Sequence, residues 1–358
     1  MPTFFKQERT AFGIDVNDTS IKIAELRKSK TGYKIIGYSD FELHKGIVVN
    51  DSVMDEKALT EAIRGALAKM KFGNVDTTLT IASIPESKAF VRVIQIPKMS
   101  EAQAESAVTI ESEQYIPIPL DQAYLDWQIL RENGEDKMDV LVTAAPKDYI
   151  DNYLRVLKNS GLRPVALEVE SAAVARALVP SEKKAKDLLI LDMSTSRSSL
   201  IVVSQGFVQF TSSVPIAGDA FTQAIARALG INEQEAEKVK MQFGLDDSKE
   251  HQNVKAALTP VVDNLVEEIK NILKFHSAHS TTPISQILLC GGSAKLLHLS
   301  SYLYEKLTDY DYVDIILGNA WANVFEPRLA AAAPLTREES LSYATAIGLA
   351  IRGAEAQI

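Results

Sequence analysis

Leu289-Cys290-Gly291-Gly292-Ser293-Ala294-Lys295-Leu296 extends the apolar run Ile287-Leu288-Leu289, and its reading decides the fold. A short buried strand that runs straight into two glycines lets backbone approach a ligand closely, because glycine has no Cβ to hold the ligand off. Two further units in the chain suit such a turn. Near the N-terminus, Gly13-Ile14-Asp15 leads through the polar turn Asn17-Asp18-Thr19-Ser20 into Ile21-Lys22-Ile23-Ala24-Glu25-Leu26, which reads as strand, tight turn, strand. Later, Leu188-Leu189-Ile190-Leu191-Asp192 leads through Met193 to Ser196 into Ser199-Leu200-Ile201-Val202-Val203. The two aspartates lie about 177 residues apart, a weak internal repeat. A carboxylate at the end of a buried strand, followed by small polar residues, suits phosphate and magnesium: turn N–H groups and hydroxyls face phosphate oxygens while the Asp organises Mg²⁺, usually through water. One such hairpin is an ordinary turn. Two in matching halves, with a glycine pair after a third strand, are much harder to dismiss as ordinary turns.

Around these motifs the pattern is α/β. Leu59, Ile63, Leu67 and Met70 are spaced for one helix face, with Gly73 as the stop. Phe90 to Ile96 alternates as a strand, Ser100 caps a helix running to about Gln114, and the prolines of Tyr115-Ile116-Pro117-Ile118-Pro119-Leu120 end it. Strand-like runs at Ala123 to Leu130 and Met138 to Ala145 flank the charged turn Glu132 to Asp136, so this strand–helix–strand–strand unit reads as an inserted module. An amphipathic helix with Ile150, Tyr153, Leu154 and Leu157 then stops at Gly161. Ser181 to Asp187 is the candidate interlobe linker, and Ser204-Gln205-Gly206 a hairpin turn into Phe207 to Val214. Helical faces follow at Phe221, Ile225 and Leu229, and at Val262, Leu265, Ile269 and Leu273; Tyr343 to Ala350 forms a final packed helix. The implied division is a first lobe of residues 1–82 and 163–180, an insert of 83–162, and a second lobe of 187–358 with a helical subdomain at 230–283.

The chain of 358 residues is long enough for two lobes and a cleft between them. A net charge of −9 argues against nucleic acid as the main partner, since phosphate backbones need surplus Lys and Arg. The single cysteine, Cys290, excludes an intrachain disulfide and a multi-cysteine zinc site and suits a reducing compartment such as the cytoplasm. No run approaches the ~18 apolar residues that span a bilayer, so membrane association is expected only through a partner. His276 and His279 sit one helical turn apart without a third ligand in sequence, and Cys290, Trp127 and Trp321 read as packing residues.

In these motifs the sequence resembles the actin-like ATPase superfamily. Asp15 and Asp192 sit where its two phosphate hairpins carry aspartates, and Cys290-Gly291-Gly292-Ser293-Ala294 resembles its adenosine motif. Within Ala236-Glu237-Lys238-Val239-Lys240, Glu237 and Lys240 match a Glu and Lys that reach the ribose and base from one helix; a solvated helix face fits the same spacing. The inserted module, Ser112 to Asp121, the run Pro215-Ile216-Ala217-Gly218-Asp219-Ala220-Phe221-Thr222 and the ending Tyr343 to Gly353 are similar to the PilM family of type IV pilus assembly proteins, over about Ala11 to Gly353.

The resemblance implies an actin-like fold of two lobes with a strand–helix–strand–strand insert in the first. It implies ATP bound by Asn17, Thr19, Ser20, Lys22, Ser194, Thr195, Ser196, Arg197, Gly218, Asp219, Glu237, Lys240, Gly291, Gly292, Ser293 and Lys295, with Mg²⁺ held through water by Asp15 and Asp192. Glu170 matches a glutamate associated with water activation in related bacterial actins, though a strand-end carboxylate facing solvent fits as well. The implied function is a cytoplasmic scaffold, peripheral to the inner membrane, that docks the cytoplasmic N-terminal tail of a PilN-like protein and assembles with other pilus proteins or further copies of itself. An FtsA-like filament-forming ATPase and a secretion or competence pseudopilus relative are the alternatives; the ending Arg352 to Ile358, without an amphipathic membrane helix, weakens the division reading.

The sequence departs from the family pattern at both hairpins. Asn17 and Ser194 stand where glycines are expected, and Arg197 is placed either to pair with a phosphate or to fill its site. Asn tolerates positive φ better than most residues, which is how the first turn is expected to survive. The departures imply at most slow hydrolysis.

Overall fold

The computed structural model describes residues 10–30, 32–133, 136–180, 186–310, 313–325 and 333–356. The N-terminal stretch Met1 to Arg9, residues 181–185 of the expected linker, the tip of the charged turn at 134–135 and the last two residues lie outside them. The described residues divide into two compact units, one from 1–177, 320–333 and 343–358, the other from 178–319 and 334–342.

The first unit opens with β1 (Phe12–Val16), β2 (Ser20–Ser29) and β3 (Gly32–Glu42), an antiparallel meander. β3 went unread in the sequence, although Tyr33, Ile35 and Gly37 alternate with polar neighbours. The short strands β4 (Val48–Val49) and β5 (Ser52–Val53) form a hairpin whose turn residues, Asn50 and Asp51, have φ of 50° and 61°. That pair of left-handed residues is what a two-residue hairpin turn needs. Helix α1 (Glu56–Ala68) is capped by Asp55, whose side chain accepts from the Ala58 amide, and buries Leu59 and Ile63. It stops at Lys69, before the predicted Gly73; that glycine belongs instead to β6 (Phe72–Gly73), which pairs with β3.

β7 (Leu79–Ile84) is buried along its whole length and runs parallel to β1, the continuous apolar run common in covered parallel strands. β8 (Phe90–Pro97), α2 (Glu101–Ser112), β9 (Ala123–Asn133) and β10 (Lys137–Pro146) are the expected strand–helix–strand–strand module. Its sheet runs β8-β10-β9, antiparallel throughout. The module has its own core: Ile94, Ile96, Val108, Val140 and Val142 are buried, and Ile116, Ile118 and Leu120 of the proline segment close over them. Helix α2 starts with the predicted Ser100 cap, reinforced by Gln103 accepting from the Ser100 amide at 3.1 Å. Helix α3 (Lys147–Asn159), β11 (Arg163–Val169) and α4 (Glu170–Leu178) complete this part, giving a main sheet ordered β11-β7-β1-β2-β3-β6.

The second unit repeats the opening meander with β12 (Asp187–Met193), β13 (Ser198–Ser204) and β14 (Phe207–Val214). Gln205 and Gly206, with φ of 53° and 85°, make the predicted hairpin turn. Helices α5 (Gly218–Leu229), α6 (Glu233–Phe243) and α7 (Gln252–His279) pack beside the sheet. β15 (Ile284–Cys290) is parallel to β12; α8 (Leu299–Lys306), β16 (Asp314–Leu317) and α9 (Arg337–Ser340) follow. The strands run β16-β15-β12-β13-β14. The core under them contains Phe221, Ile225, Val262, Leu265, Ile269 and Leu273, the helix faces read from sequence.

The last helix, α10 (Ala344–Glu355), corrects the sequence division, which placed all of 187–358 in the second lobe. It packs in the first unit, against β1, β2 and β7. The reason is in its small residues: a Cβ at Gly348 would strike the Ala173 carbonyl, so α10 lies against α4 at a distance only glycine allows. Arg176 and Arg352 both bind the buried Glu168, at 2.5 and 3.1 Å, and fix the helix there.

Candidate functional site

The first hairpin is built by β1 and β2. Its closing bond runs from the Asn17 amide to the Ser20 carbonyl, 3.0 Å. The Asn17 side chain then folds into the turn: its Oδ1 accepts from the Thr19 amide at 3.0 Å and the Ser20 amide at 2.9 Å, and both hydroxyls donate to it at 3.2 Å. The expectation that Asn17 is tolerated for its left-handed φ is wrong. Among the described residues, positive φ outside glycine occurs at Asn50, Asp51, Gln205 and His298. Asn17 is there as an acceptor, and the donors that the resemblance assigns to phosphate point at its oxygen instead. Lys22 is turned inward as well, with Nζ donating to Ser20 Oγ at 2.6 Å.

Asp15 is buried, with Ser83 Oγ donating to it at 2.8 Å. Burial raises its carboxyl above the usual range, an effect that Lys22 and Ser83 oppose and Asp51 adds to. Asp18 accepts from the Asn50 amide at 3.1 Å and the Asp51 amide at 2.9 Å, tying the left-handed turn to the hairpin, and Asp51 in turn accepts from Ser87 Oγ at 2.5 Å. Ser83, Asp51 and Ser87 were not anticipated. The signal for Asp51 was present in Val48-Val49-Asn50-Asp51-Ser52-Val53, a hairpin pattern with its turn dipeptide.

Glu170 is the first residue of α4 and half-buried. It accepts from the Glu86 amide at 3.4 Å while Glu86 accepts from the Ser171 amide at 3.3 Å, so the two carboxylates cross-cap each other's segments. Close by, the Tyr153 hydroxyl is buried with no hydrogen-bond partner; burial, then the negative fields of Tyr149, Asp15 and Glu170, push its pKa well up. The arrangement makes Glu170 a helix-start carboxylate in an acidic surrounding.

The second hairpin closes by the matching bond, Ser194 amide to Arg197 carbonyl at 3.0 Å, which aligns Asn17 with Ser194 and Ser20 with Arg197. Its interior differs. The Ser194 hydroxyl makes none of the bonds that Asn17 makes across its turn, and the bonds Ser194 takes from the rest of the unit use its carbonyl: Ser293 Oγ donates to it at 2.8 Å and the Gly218 amide at 3.3 Å, while the Asp219 amide donates to the Thr195 carbonyl at 2.8 Å. Arg197 neither enters the turn nor faces away from the protein; its Nε donates to Ser213 Oγ at 2.9 Å and its Nη2 to the Ser213 carbonyl at 3.3 Å, on β14. Ser196 and Arg197 therefore keep their amides out of the side-chain network that fills the first hairpin.

Beside it lies the glycine pair. Gly291 has φ +82°, and a Cβ there would strike the Met193 carbonyl and sit 2.7 Å from Asp192 Oδ1. Its amide donates to the Leu341 carbonyl at 3.2 Å. Cys290 is buried, and burial together with the Asp192 carboxylate that accepts from its thiol raises its pKa well above normal, the setting of a packing residue. Gly292 to Lys295 make a 3₁₀ turn with Lys295 exposed.

Glu237 and Lys240 share one face of α6, as the spacing predicted. Lys240 is buried, however, and its ammonium donates to the Gly218 carbonyl at 3.1 Å, Thr222 Oγ1 at 2.9 Å and Glu237 Oε2 at 2.7 Å. It pins the start of α5, and through Gly218 the second hairpin. The half-exposed Glu237 also accepts from Thr222 Oγ1 at 2.6 Å. Of the histidine pair, His276 bonds the buried Asp187 at 2.9 Å and His279 the Phe275 carbonyl at 2.8 Å. Among the described residues no group of three or more His, Cys, Asp or Glu could hold a metal ion.

The sequence matches the family model described as type IV pilus assembly protein PilM over residues 13–354. The chain belongs to the PilM family. A solved PilM–PilN type IV pilus biogenesis complex is similar at TM-score 0.82 and 26% identity, covering 98% of this chain and 100% of that one. The cell division protein FtsA of Bacillus subtilis is 22% identical over 336 residues, 82% of this chain and 76% of FtsA. FtsA of Pseudomonas aeruginosa is 22% identical over 294 residues, 71% and 69% of the two chains. MreB5 of Spiroplasma citri, solved with AMPPNP, shares the fold at TM-score 0.55 and 12% identity, over 96% of this chain and 95% of that one. The fold is thus the α/β actin-like ATPase fold of two lobes that PilM and MreB structures share, a fold that typically binds nucleotide. Among the described residues no helix is long and apolar enough to cross a membrane.

Proposed function

We propose that this PilM family member is a cytoplasmic scaffold of the pilus assembly platform that docks the N-terminal tail of a PilN-like inner-membrane protein. The observation that supports this most is the match to the PilM–PilN complex over nearly the whole of both chains, inserted module included. The proposed domain roles follow: residues 1–82 with 163–180 as the first lobe, 83–162 as the docking module, and 230–283 as a helical subdomain of the second lobe. An extended tail suits a groove beside the module's sheet, where backbone pairing supplies affinity and side-chain pockets supply selectivity. The test is a calorimetric titration with the tail peptide of the pilus protein encoded beside this one. Stoichiometric binding is expected, and no heat with or without ATP would refute the docking role.

The proposal includes ATP as a ligand, seated mainly on the second unit: Ser194 to Arg197, Gly218 and Gly291 to Ser293 approach one another there with backbone at close range. Asp192 on the second unit and Asp15 on the first are the proposed holders of Mg²⁺, each through water. The ion would neutralise phosphate charge. Glu170 remains the candidate for orienting water, but it is tied to the Glu86 amide, and slow hydrolysis at most is expected. In this reading ATP is a structural or regulatory ligand.

A further inference from the structure

We propose that Asn17 closes the first hairpin to phosphate, so that the protein holds a nucleotide without reading its terminal phosphate. The inference rests on the nucleotide reading above and adds to it a selectivity and the residue that sets it.

Four donors, two amides and two hydroxyls, converge on Asn17 Oδ1 at 2.9 to 3.2 Å. A ring of N–H and O–H groups around one oxygen is the arrangement a phosphate oxygen seeks at a turn. Here the chain supplies that oxygen from its own carboxamide. A phosphate could enter only by displacing Asn17, whose amide group would then lose four partners, and the exchange gains nothing in hydrogen bonds. The charges nearby oppose it as well. Asp18 and Asp51 lie beside the hairpin, joined through the Asn50 and Asp51 amides and Ser87, while the ammonium of Lys22 is held on Ser20 Oγ. A phosphate oxygen brought to this turn therefore meets carboxylates and finds no released donor.

The second hairpin has no equivalent plug. Ser194, in the matching position, offers no side-chain acceptor to the turn amides, and Arg197 is drawn aside to Ser213. Affinity on that side comes from groups that meet the nucleotide whatever its phosphate count, so tri- and diphosphate bind alike. A PilM-type scaffold built this way stays in one conformation across an ATP/ADP change instead of switching with it.

The experiment is a calorimetric comparison of Mg²⁺-ATP and Mg²⁺-ADP on the full chain, on Asn17→Gly and on Asn17→Asp. The parent should bind the two within about threefold; Asn17→Gly, with the turn donors released, should prefer ATP by about tenfold or more; Asn17→Asp, which keeps an acceptor in place, should behave as the parent. A parent that prefers ATP by more than about thirtyfold overturns the proposal. So does an Asn17→Gly variant with no gain for ATP. In parallel, the amide resonances of Thr19 and Ser20 are followed during titration with inorganic pyrophosphate. They should stay still in the parent and move in Asn17→Gly. Movement in the parent, or none in the variant, refutes the closed hairpin. If no nucleotide binds to any form but pyrophosphate moves the variant's amides, the nucleotide reading fails while the closure stands. If Asn17→Gly does not fold, the parent's amides decide alone.

Discussion

The two hairpins start from the same plan and end in different states. Both put an aspartate at the end of a buried strand and close by one amide-to-carbonyl bond across the turn. In the first, the third residue of the motif is an asparagine whose side chain takes up the turn's own donors. In the second, it is a serine whose hydroxyl makes no such bonds, and the turn is braced from outside by Gly218, Ser293 and Lys240. The difference teaches that replacing a glycine in a phosphate turn has two outcomes. A residue that reaches the turn interior substitutes for the ligand, and one that does not leaves the site to its neighbours.

The largest effect expected from breaking this comparison is at Gly291. Alanine there must adopt a left-handed φ and push against the Met193 carbonyl beside Asp192, so thermal or urea unfolding should show a loss of roughly 3 kcal/mol. The first hairpin has a close approach at Gly13, where a Cβ would strike the Ala346 carbonyl, but no left-handed glycine. Lys240→Met comes next. It removes three hydrogen bonds at the start of α5, and because Glu237 is half-exposed and can rehydrate, the cost should be about 2 kcal/mol, with weaker nucleotide binding in titration. Asn17→Ala sharpens the contrast from the other side: unfolding should register a loss of about 1 kcal/mol as the Thr19 and Ser20 amides lose their acceptor, whereas Ser194→Ala should be close to neutral.

The smallest effect has the opposite sign. Burial raises the Asp15 pKa in the folded chain, so its contribution to stability is fully present below the ordinary carboxylate value of 3.8 and is lost as pH rises through the raised value. Asp15→Asn should therefore raise stability slightly at neutral pH, since Lys22 and Ser83 already oppose the burial cost, and the gain should fade on acidification. Calorimetric scans at neutral and acid pH check it.

Much of this was legible in the residues. Strand, Asp and polar turn repeated at Asp15 and Asp192, and the Gly291-Gly292 turn after an apolar run gave the fold, because burial and backbone approach leave periodic and compositional marks. Ser100, Gly161 and Gln205-Gly206 declared their cap and turns in the same way. What could not be read was where side chains go once the fold is made. The Asn17 bonds are local, to residues two and three positions on, a turn habit of asparagine that the sequence reading passed over; that Arg197 crosses to Ser213, or that Lys240 is buried under Gly218, depends instead on how separate elements pack. The placement of α10 escaped for a related reason: its alanines and glycines announce close packing but not the partner.

The most direct measurement is residue-resolved amide hydrogen exchange on the unaltered protein, with and without Mg²⁺-ATP. The Thr19 and Ser20 amides should exchange slowly without ligand and stay unchanged when it is added, while Ser196 and Arg197 should exchange quickly at first and slow when the nucleotide binds. Fast exchange at Thr19 and Ser20 that ATP then slows, with the second hairpin unaffected, would contradict the account.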